Sequence, residues 1–278
     1  MKEKLLKIFY TLLGSLAHRY VKKRKPLVIG INGSVGKTSC RMIITDVLKK
    51  YLPHDSVYTS PKNFNGELGM SLAIFKIESR GASLPAMISV LRKTFCLTFF
   101  SSRKPYDVTV LEYGIDTPGE MSFLLSIVKP HISVLTKIDA VHSLQFGNPQ
   151  EIAKEETKLQ RGTLETCIIN YDDSYGRSLR DHIDVDTLRY DTNECSATNI
   201  AIRYDKYSLT KHDKTIGSTS TITLGSKNIH LTTNILGKHN HGYIATGLAI
   251  ADIAHYKFHG TECVQKSGEL FLDLHLQP

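Results

Sequence analysis

Ten residues, Gly30 to Ser39 (GINGSVGKTS), carry the densest potential for chemistry in the chain. They follow the apolar run Leu27, Val28, Ile29 and precede a helical pattern from Arg41 to Lys50. A strand that breaks into a glycine loop and re-emerges as a helix aims several backbone N–H groups at one point. The partial positive charge of the helix start adds to them, so the point suits phosphate. Gly33, Ser34, Val35 and Gly36 form the loop, with Ser39 closing it. Lys37 supplies a mobile charge for the β- and γ-phosphates of a nucleotide, and Thr38 a hydroxyl for Mg²⁺. Position 31 is Ile where the full G-x-x-x-x-G-K-[ST] pattern has Gly, so the loop is a tighter variant.

Four further clusters have the residue types to complete such a site. In LEYGIDTPGEM, Glu112 ends an apolar strand, so its carboxylate emerges at the strand's carboxyl edge, where a cation bound to phosphate would sit. A second strand delivers Asp139 and His142 to the same edge; Mg²⁺ prefers oxygen, so a His ligand there needs special support. NFNGELG (63–69) reads as a polar turn opening a helix and holds Asn65. GKHN (237–240) reads as a loop and cap before the last helix and ends in Asn240.

The elements that must position these groups alternate. Strands are expected at 27–31, 56–60, 107–113, 132–138 and 166–171, with helices at 37–51, 67–77, 119–128 and 149–162. That order predicts an α/β fold, a P-loop-containing, mostly parallel sheet with helices on both faces and ligands at the carboxyl ends of its strands. Short β-rich pieces between 187 and 235 predict antiparallel strands at the sheet edge, before a last helix at 240–256. The stretch 81–104 is apolar in places and fits no single pattern. Residues 2–22 form an amphipathic helix with Leu5, Phe9, Leu12, Leu16 and Tyr20 on one stripe, ending in the basic run KKRK. Two readings remain for it: a helix packed on the domain, which is favoured, and a membrane-surface helix drawn to anionic lipid.

Composition narrows the class. Hydrophobic residues make up 41% and charged residues 22%, the balance of a soluble globular protein. The net charge of +8 is concentrated in residues 1–26, which hold eight Lys/Arg and one Glu. The body is nearly neutral, so no nucleic-acid partner is expected. Five scattered cysteines without a C-x-x-C pair argue against a disulfide scaffold or zinc site and fit a cytoplasmic location.

Taken together, GSVGKTS, NFNGELG, LEYGIDTPGEM, the stretch from Lys129-Pro130 through His142 and Phe146-Gly147 to Ile152-Ala153, and GKHN resemble the Mur ligase family. These are the ATP-dependent amide-forming enzymes of peptidoglycan precursor synthesis, and the D-alanyl-D-alanine-adding branch is the most similar. The motifs keep the family's order over about 27–256. The resemblance implies ATP and Mg²⁺ as cofactors and transfer of phosphate to a UDP-muramoyl-peptide-like carboxylate. An amine then displaces the phosphate from the acyl phosphate. It implies that Lys37 holds the phosphates, that Thr38 and Glu112 bind one Mg²⁺ and His142 a second, that Asn240 contacts the base side, and that Asn65 approaches the substrate.

Three departures qualify that picture. Where the family carries a carbamylated lysine, this chain has Glu156, whose own carboxylate would stand in for the carbamate. Where the last helix offers a second Asn to the nucleotide, this chain has Tyr243, whose ring would stack on adenine. The family has three domains. Here 1–26 reads as the helix alone, 27–260 as the central ATP-binding domain, and 261–278 as a tail or the stub of a C-terminal domain. ATP binding is therefore expected, while stand-alone ligation is not, and a partner chain would have to supply the missing parts. The competing readings are a nucleotide-binding module or remnant without ligase activity, and a P-loop enzyme with another acceptor such as folate and glutamate.

Overall fold

In the computed structural model, residues 2–60, 66–78, 83–102, 104–139, 146–179, 183, 185–191, 201–212, 215–264 and 267–274 are described. Helix α1 (Lys2–Arg24) leads into β1 (Leu27–Asn32), α2 (Lys37–Tyr51) and β2 (Val57–Thr59). Next come α3 (Gly66–Phe75), α4 (Leu84–Phe99), β3 (Val108–Glu112), α5 (Glu120–Ile127) and β4 (Ile132–Leu135). Two short helices, α6 (Pro149–Glu156) and α7 (Lys158–Arg161), precede β5 (Thr166–Asn170) and α8 (Ser174–Ser178). Strands β6 (Asp186–Asp191), β7 (Ala201–His212), β8 (Thr215–Leu224) and β9 (Lys227–Thr233) follow, then α9 (Lys238–His259) and β10 (Ser267–Leu272).

Among the described residues ten strands form one sheet in the order β10-β9-β8-β7-β6-β5-β4-β1-β3-β2. Strand β1 pairs in parallel with β3 on one side and β4 on the other. The chain thus leaves β1 at the point where strand order reverses, the usual place for a ligand crevice in such sheets. All six residues of β1 are buried, which suits a strand covered on both faces. Its residues alternate between two cores. Ile29 and Ile31 pack with Ile43 and Val47 of α2 and Ile244 and Leu248 of α9. Val28 faces the other layer, with Leu13 of α1, Met70 and Ile74 of α3, and Leu124 of α5.

Three expectations need correction. The edge is less antiparallel than the 187–235 texture predicts: β6 and β7 continue the parallel sheet, and only β8 runs against β7 and β9. Period-two alternation marks a strand but not its direction, which the long-range pairing decides. Residues 267–272, in the segment read as a tail, form β10, which pairs in parallel with β9 at the sheet edge. The helix α1 is rotated relative to its expected stripe. Phe9, Leu13, Ala17 and Tyr20 are buried, whereas Leu5 and Leu12 are exposed. The unassigned 81–104 stretch contains α4, packed beside α1.

Candidate functional site

At the end of β1 the backbone turns through Gly33 (φ +125°) and Gly36 (φ +86°), both in the left-handed region that favours glycine. A Cβ at Gly33 would strike the Thr136 hydroxyl and Lys137 backbone, and one at Gly36 the Tyr243 hydroxyl. Both positions therefore need glycine for space as well as for backbone freedom. Gly36 caps α2 with no side-chain hydrogen bond to the first turn. The leading N–H groups of α2 are thus left for a bound anion. The second turn of the loop is pinned from behind. The Ser34 N–H donates to the Lys137 carbonyl at 2.7 Å, and the Thr136 hydroxyl donates to the carbonyls of Val35 (2.7 Å) and Asn32 (3.0 Å).

Lys37 folds back over this loop, its Nζ donating to the Gly33 carbonyl at 2.5 Å and the Ser34 carbonyl at 3.4 Å. The ammonium sits over the loop on a flexible stem that can turn towards phosphate oxygens. The buried Ser34 hydroxyl has no hydrogen-bond partner among the described residues. Loop residues Ser34, Gly36, Lys37, Thr38 and Ser39 are partly exposed, and Val35 is exposed. A charged ligand can therefore reach the site.

Glu112, at the end of β3, is brought to α2 by the β1–β3 register, in which Ile31 faces Glu112. Its Oε2 lies 3.4 Å from the Thr38 hydroxyl. Two ligands of one Mg²⁺, each about 2.0–2.1 Å from the ion, lie about 2.9–4.2 Å apart, so this pair fits a shared cation. The other oxygen, Oε1, accepts from Arg41 Nε at 2.6 Å in a buried ion pair. Arg41 also donates to the Thr59 hydroxyl at 2.8 Å and to the Ser60 carbonyl. It thereby ties α2 to β2 and β3. The sequence reading missed Arg41, although its position was a clue. It lies four residues after Lys37 and three after Thr38, on the same helix face.

Glu156, at the end of α6, is buried beneath the loop. Its Oε2 accepts from Asn32 Nδ2 at 2.8 Å and from the Gly33 N–H at 3.1 Å. Burial pushes its pKa up, opposed by the positive charge of Lys37 and by those two hydrogen bonds. Asn32 is held in turn by Gln160, which donates to its side-chain oxygen at 2.7 Å. Asn32, Thr136 and Gln160 also escaped the sequence reading, because nothing in their types marks them without the fold.

Asn240 stands in the first turn of α9, where its Nδ2 donates to the Leu236 carbonyl at 2.8 Å. Its buried Oδ1 has no partner among the described residues. Tyr243 departs from the expected base-stacking role. It is buried in the core, with its hydroxyl beneath Gly36, because a ring at that helix position points into the α2–α9 interface. His142 and Asn65 lie outside the described residues. Asp139 forms an ion pair with Lys137 at 3.0 Å. Among the described residues no group of three His, Cys, Asp or Glu comes together. The Thr38 hydroxyl and Glu112 carboxylate are hard oxygen donors, which suit a cation such as Mg²⁺ completed by phosphate and water.

Next to Asn240, His241 is fully buried between the hydroxyls of Ser218 (2.7 Å) and Ser220 (2.6 Å). Burial lowers its pKa from 6.5 to about 4. The folded state therefore favours the neutral ring. Stability is complete above pH 6.5, falls as the pH drops towards 4, and changes no further from this group below that. The loss should be about 3 kcal/mol. Urea unfolding across this range should show it, and His241→Gln should flatten the slope.

A family model described as the Mur ligase middle domain matches residues 31–251. A UDP-N-acetylmuramoyl-tripeptide–D-alanyl-D-alanine ligase of Borreliella burgdorferi is 28% identical over 165 residues, covering 59% of this chain and 29% of the relative. The enzyme of the same name from Haemophilus influenzae is 22% identical over 244 residues, covering 86% and 46%. The crystal structure of MurF ligase from Thermotoga maritima in complex with ADP superposes with a TM-score of 0.65 at 19% identity. That match covers 92% of this chain and 50% of the other, and shows a shared fold. The chain thus spans less than half the length of these two curated relatives.

Proposed function

This chain belongs to the Mur ligase family as its middle domain, and from that premise we propose that it binds ATP with Mg²⁺ at the Gly33–Ser39 loop. The observation that carries the reading is the uncapped start of α2, set beside Lys37 and the Thr38–Glu112 pair. Backbone N–H groups and Lys37 hold the β- and γ-phosphates. Thr38 and Glu112 hold one Mg²⁺, and His142 a second. Asn240, whose Oδ1 has no partner among the described residues, would contact the base side. The ion neutralises charge on the phosphoryl group in flight.

The reaction served is ligation of a carboxylate to an amine through an acyl phosphate, as in peptidoglycan precursor synthesis. The carboxylate is of the UDP-muramoyl-peptide kind, and Asn65 would contact it. Gripping both substrates and excluding water need surfaces beyond this domain. Calorimetric titration of MgATP into the folded chain tests the nucleotide claim, with micromolar to millimolar binding expected and no binding overturning it. Phosphate release with a UDP-muramoyl tripeptide and D-alanyl-D-alanine then tests ligation.

Glu156 stands in for the family's carbamylated lysine, with its own carboxylate held against Asn32 and the Gly33 N–H beneath the loop. Glu156→Gln keeps the size and one acceptor but removes the charge. MgATP binding is expected to weaken about tenfold, and ATP binding without Mg²⁺ to change much less. An equal effect with and without the ion would make Glu156 a structural brace only.

A further inference from the structure

Two helices outside the site, α1 and α4, leave an apolar face uncovered. At 100° per residue, Leu84, Ile88, Phe95 and Phe99 of α4 share an arc of about 60°. Their neighbours Met87, Val90, Thr94 and Thr98 turn inward and are buried. On α1 the exposed Leu5, Ile8 and Leu12 also share an arc of about 60°, and Arg19 and Lys23 fall on that same flank. The exposed apolar residues of both helices, with Phe100 at the end of α4, are between 40% and 78% accessible.

The two stripes belong to one surface. The Arg19 guanidinium lies over the Phe99 ring at 5.6 Å. Lys23 Nζ donates to the carbonyls of Thr98 (3.2 Å) and Phe99 (3.3 Å). The α1 flank that carries Leu5, Ile8 and Leu12 therefore borders the α4 flank that carries Phe99. The rings of Phe95, Phe99 and Phe100 cluster there, with centroids 4.6 and 6.2 Å apart. Single exposed apolar side chains need no explanation, but a continuous stripe across two helices does.

Charge identifies the occupant. Residues 1–26 and 81–106 together hold twelve Lys/Arg and one acidic residue, while the other 226 residues hold 23 basic and 26 acidic. The protein's whole positive excess is thus gathered on the two segments that expose apolar side chains. A second copy of this face would bring like charges together, which disfavours self-association. A nucleic acid would use the cations but leave Leu5, Ile8 and Leu12 in water. An anionic bilayer accepts both, with aliphatic and phenyl groups in the headgroup boundary and cations among the phosphates. No described helix is long and apolar enough to cross a membrane, so contact is in the interfacial plane.

We infer that the α1–α4 face docks this domain on the surface of an anionic lipid bilayer. The packing of α1 on the body and its attraction to lipid are compatible, because they use different flanks of the helix. The inference stands independently of nucleotide binding.

The chain has no tryptophan, so Phe100→Trp gives a single probe at an exposed position. Vesicles of phosphatidylcholine with phosphatidylglycerol are expected to sediment the protein at least about tenfold better than phosphatidylcholine alone. They should also shift the indole emission of the Phe100→Trp variant to the blue. Phe95→Ser with Ile8→Ser should lower that partitioning about tenfold and leave the thermal transition in place. Several results would overturn the inference: no preference for the anionic vesicles, binding without an emission shift, or a dimer in light scattering that Phe95→Ser dissolves. Tighter capture by RNA that displaces vesicles would do so too.

Discussion

Lys37→Ala is expected to lower affinity for MgATP by at least about a hundredfold and to leave the fold intact. Hydrogen bonds to a charged partner are worth about 1.5–3 kcal/mol, and the ammonium serves two phosphates. About 2.8 kcal/mol is already a hundredfold. The cost to stability is small because, among the described residues, Lys37 Nζ bonds to the Gly33 and Ser34 carbonyls, in a partly exposed loop that water can reach. Calorimetry and thermal unfolding on the same preparations check both halves. An affinity within threefold of wild type would show that the nucleotide is held elsewhere.

The opposite pattern is expected at Arg41. Arg41→Leu leaves the Glu112 carboxylate in a buried site without its cation and takes donors from the Thr59 hydroxyl and Ser60 carbonyl. Breaking a buried pair from one side costs about 3–5 kcal/mol. Pairing the change with Glu112→Gln removes the stranded charge and should return a large part of that loss. Urea unfolding of wild type, both single variants and the double variant gives the coupling directly. Additive losses would show that the pair adds nothing beyond its parts. The Glu112→Gln single variant should also weaken Mg²⁺-dependent binding, because the oxygen near Thr38 no longer belongs to an anion.

Much of this arrangement was legible from local pattern. β1, the glycine loop and α2 follow from an apolar run, two glycines and a helical period, all within one stretch of chain. Glu112 could be placed at a strand end because strand polarity in an alternating α/β order fixes which end faces the loop. What escaped depends on distant partners. Arg41 reads as a solvated helix cation until β2 and β3 close over it. Tyr243 reads as a base-stacking ring until α9 is laid against α2, which turns its hydroxyl under Gly36. In α1 apolar residues occupy more than one flank, so the sequence offers two stripes. Burial of Phe9, Leu13 and Tyr20 selects between them only once α3, α4 and α5 are present. The same excess of apolar positions made 81–104 ambiguous, since α4 is apolar on its covered and its open side.

The division of β1 between two apolar layers bears on how the loop tolerates change. Trimming Ile29 would hollow out the α2 flank, and trimming Val28 the α1 and α3 flank, yet each leans on the same six-residue rod. Interiors packed this closely pass a displacement on to their neighbours rather than absorbing it. The anion cradle starts one residue beyond that rod, so its alignment is hostage to volume on either side. Distant repacking in either half of the molecule can therefore detune the cradle without touching any residue that lines it.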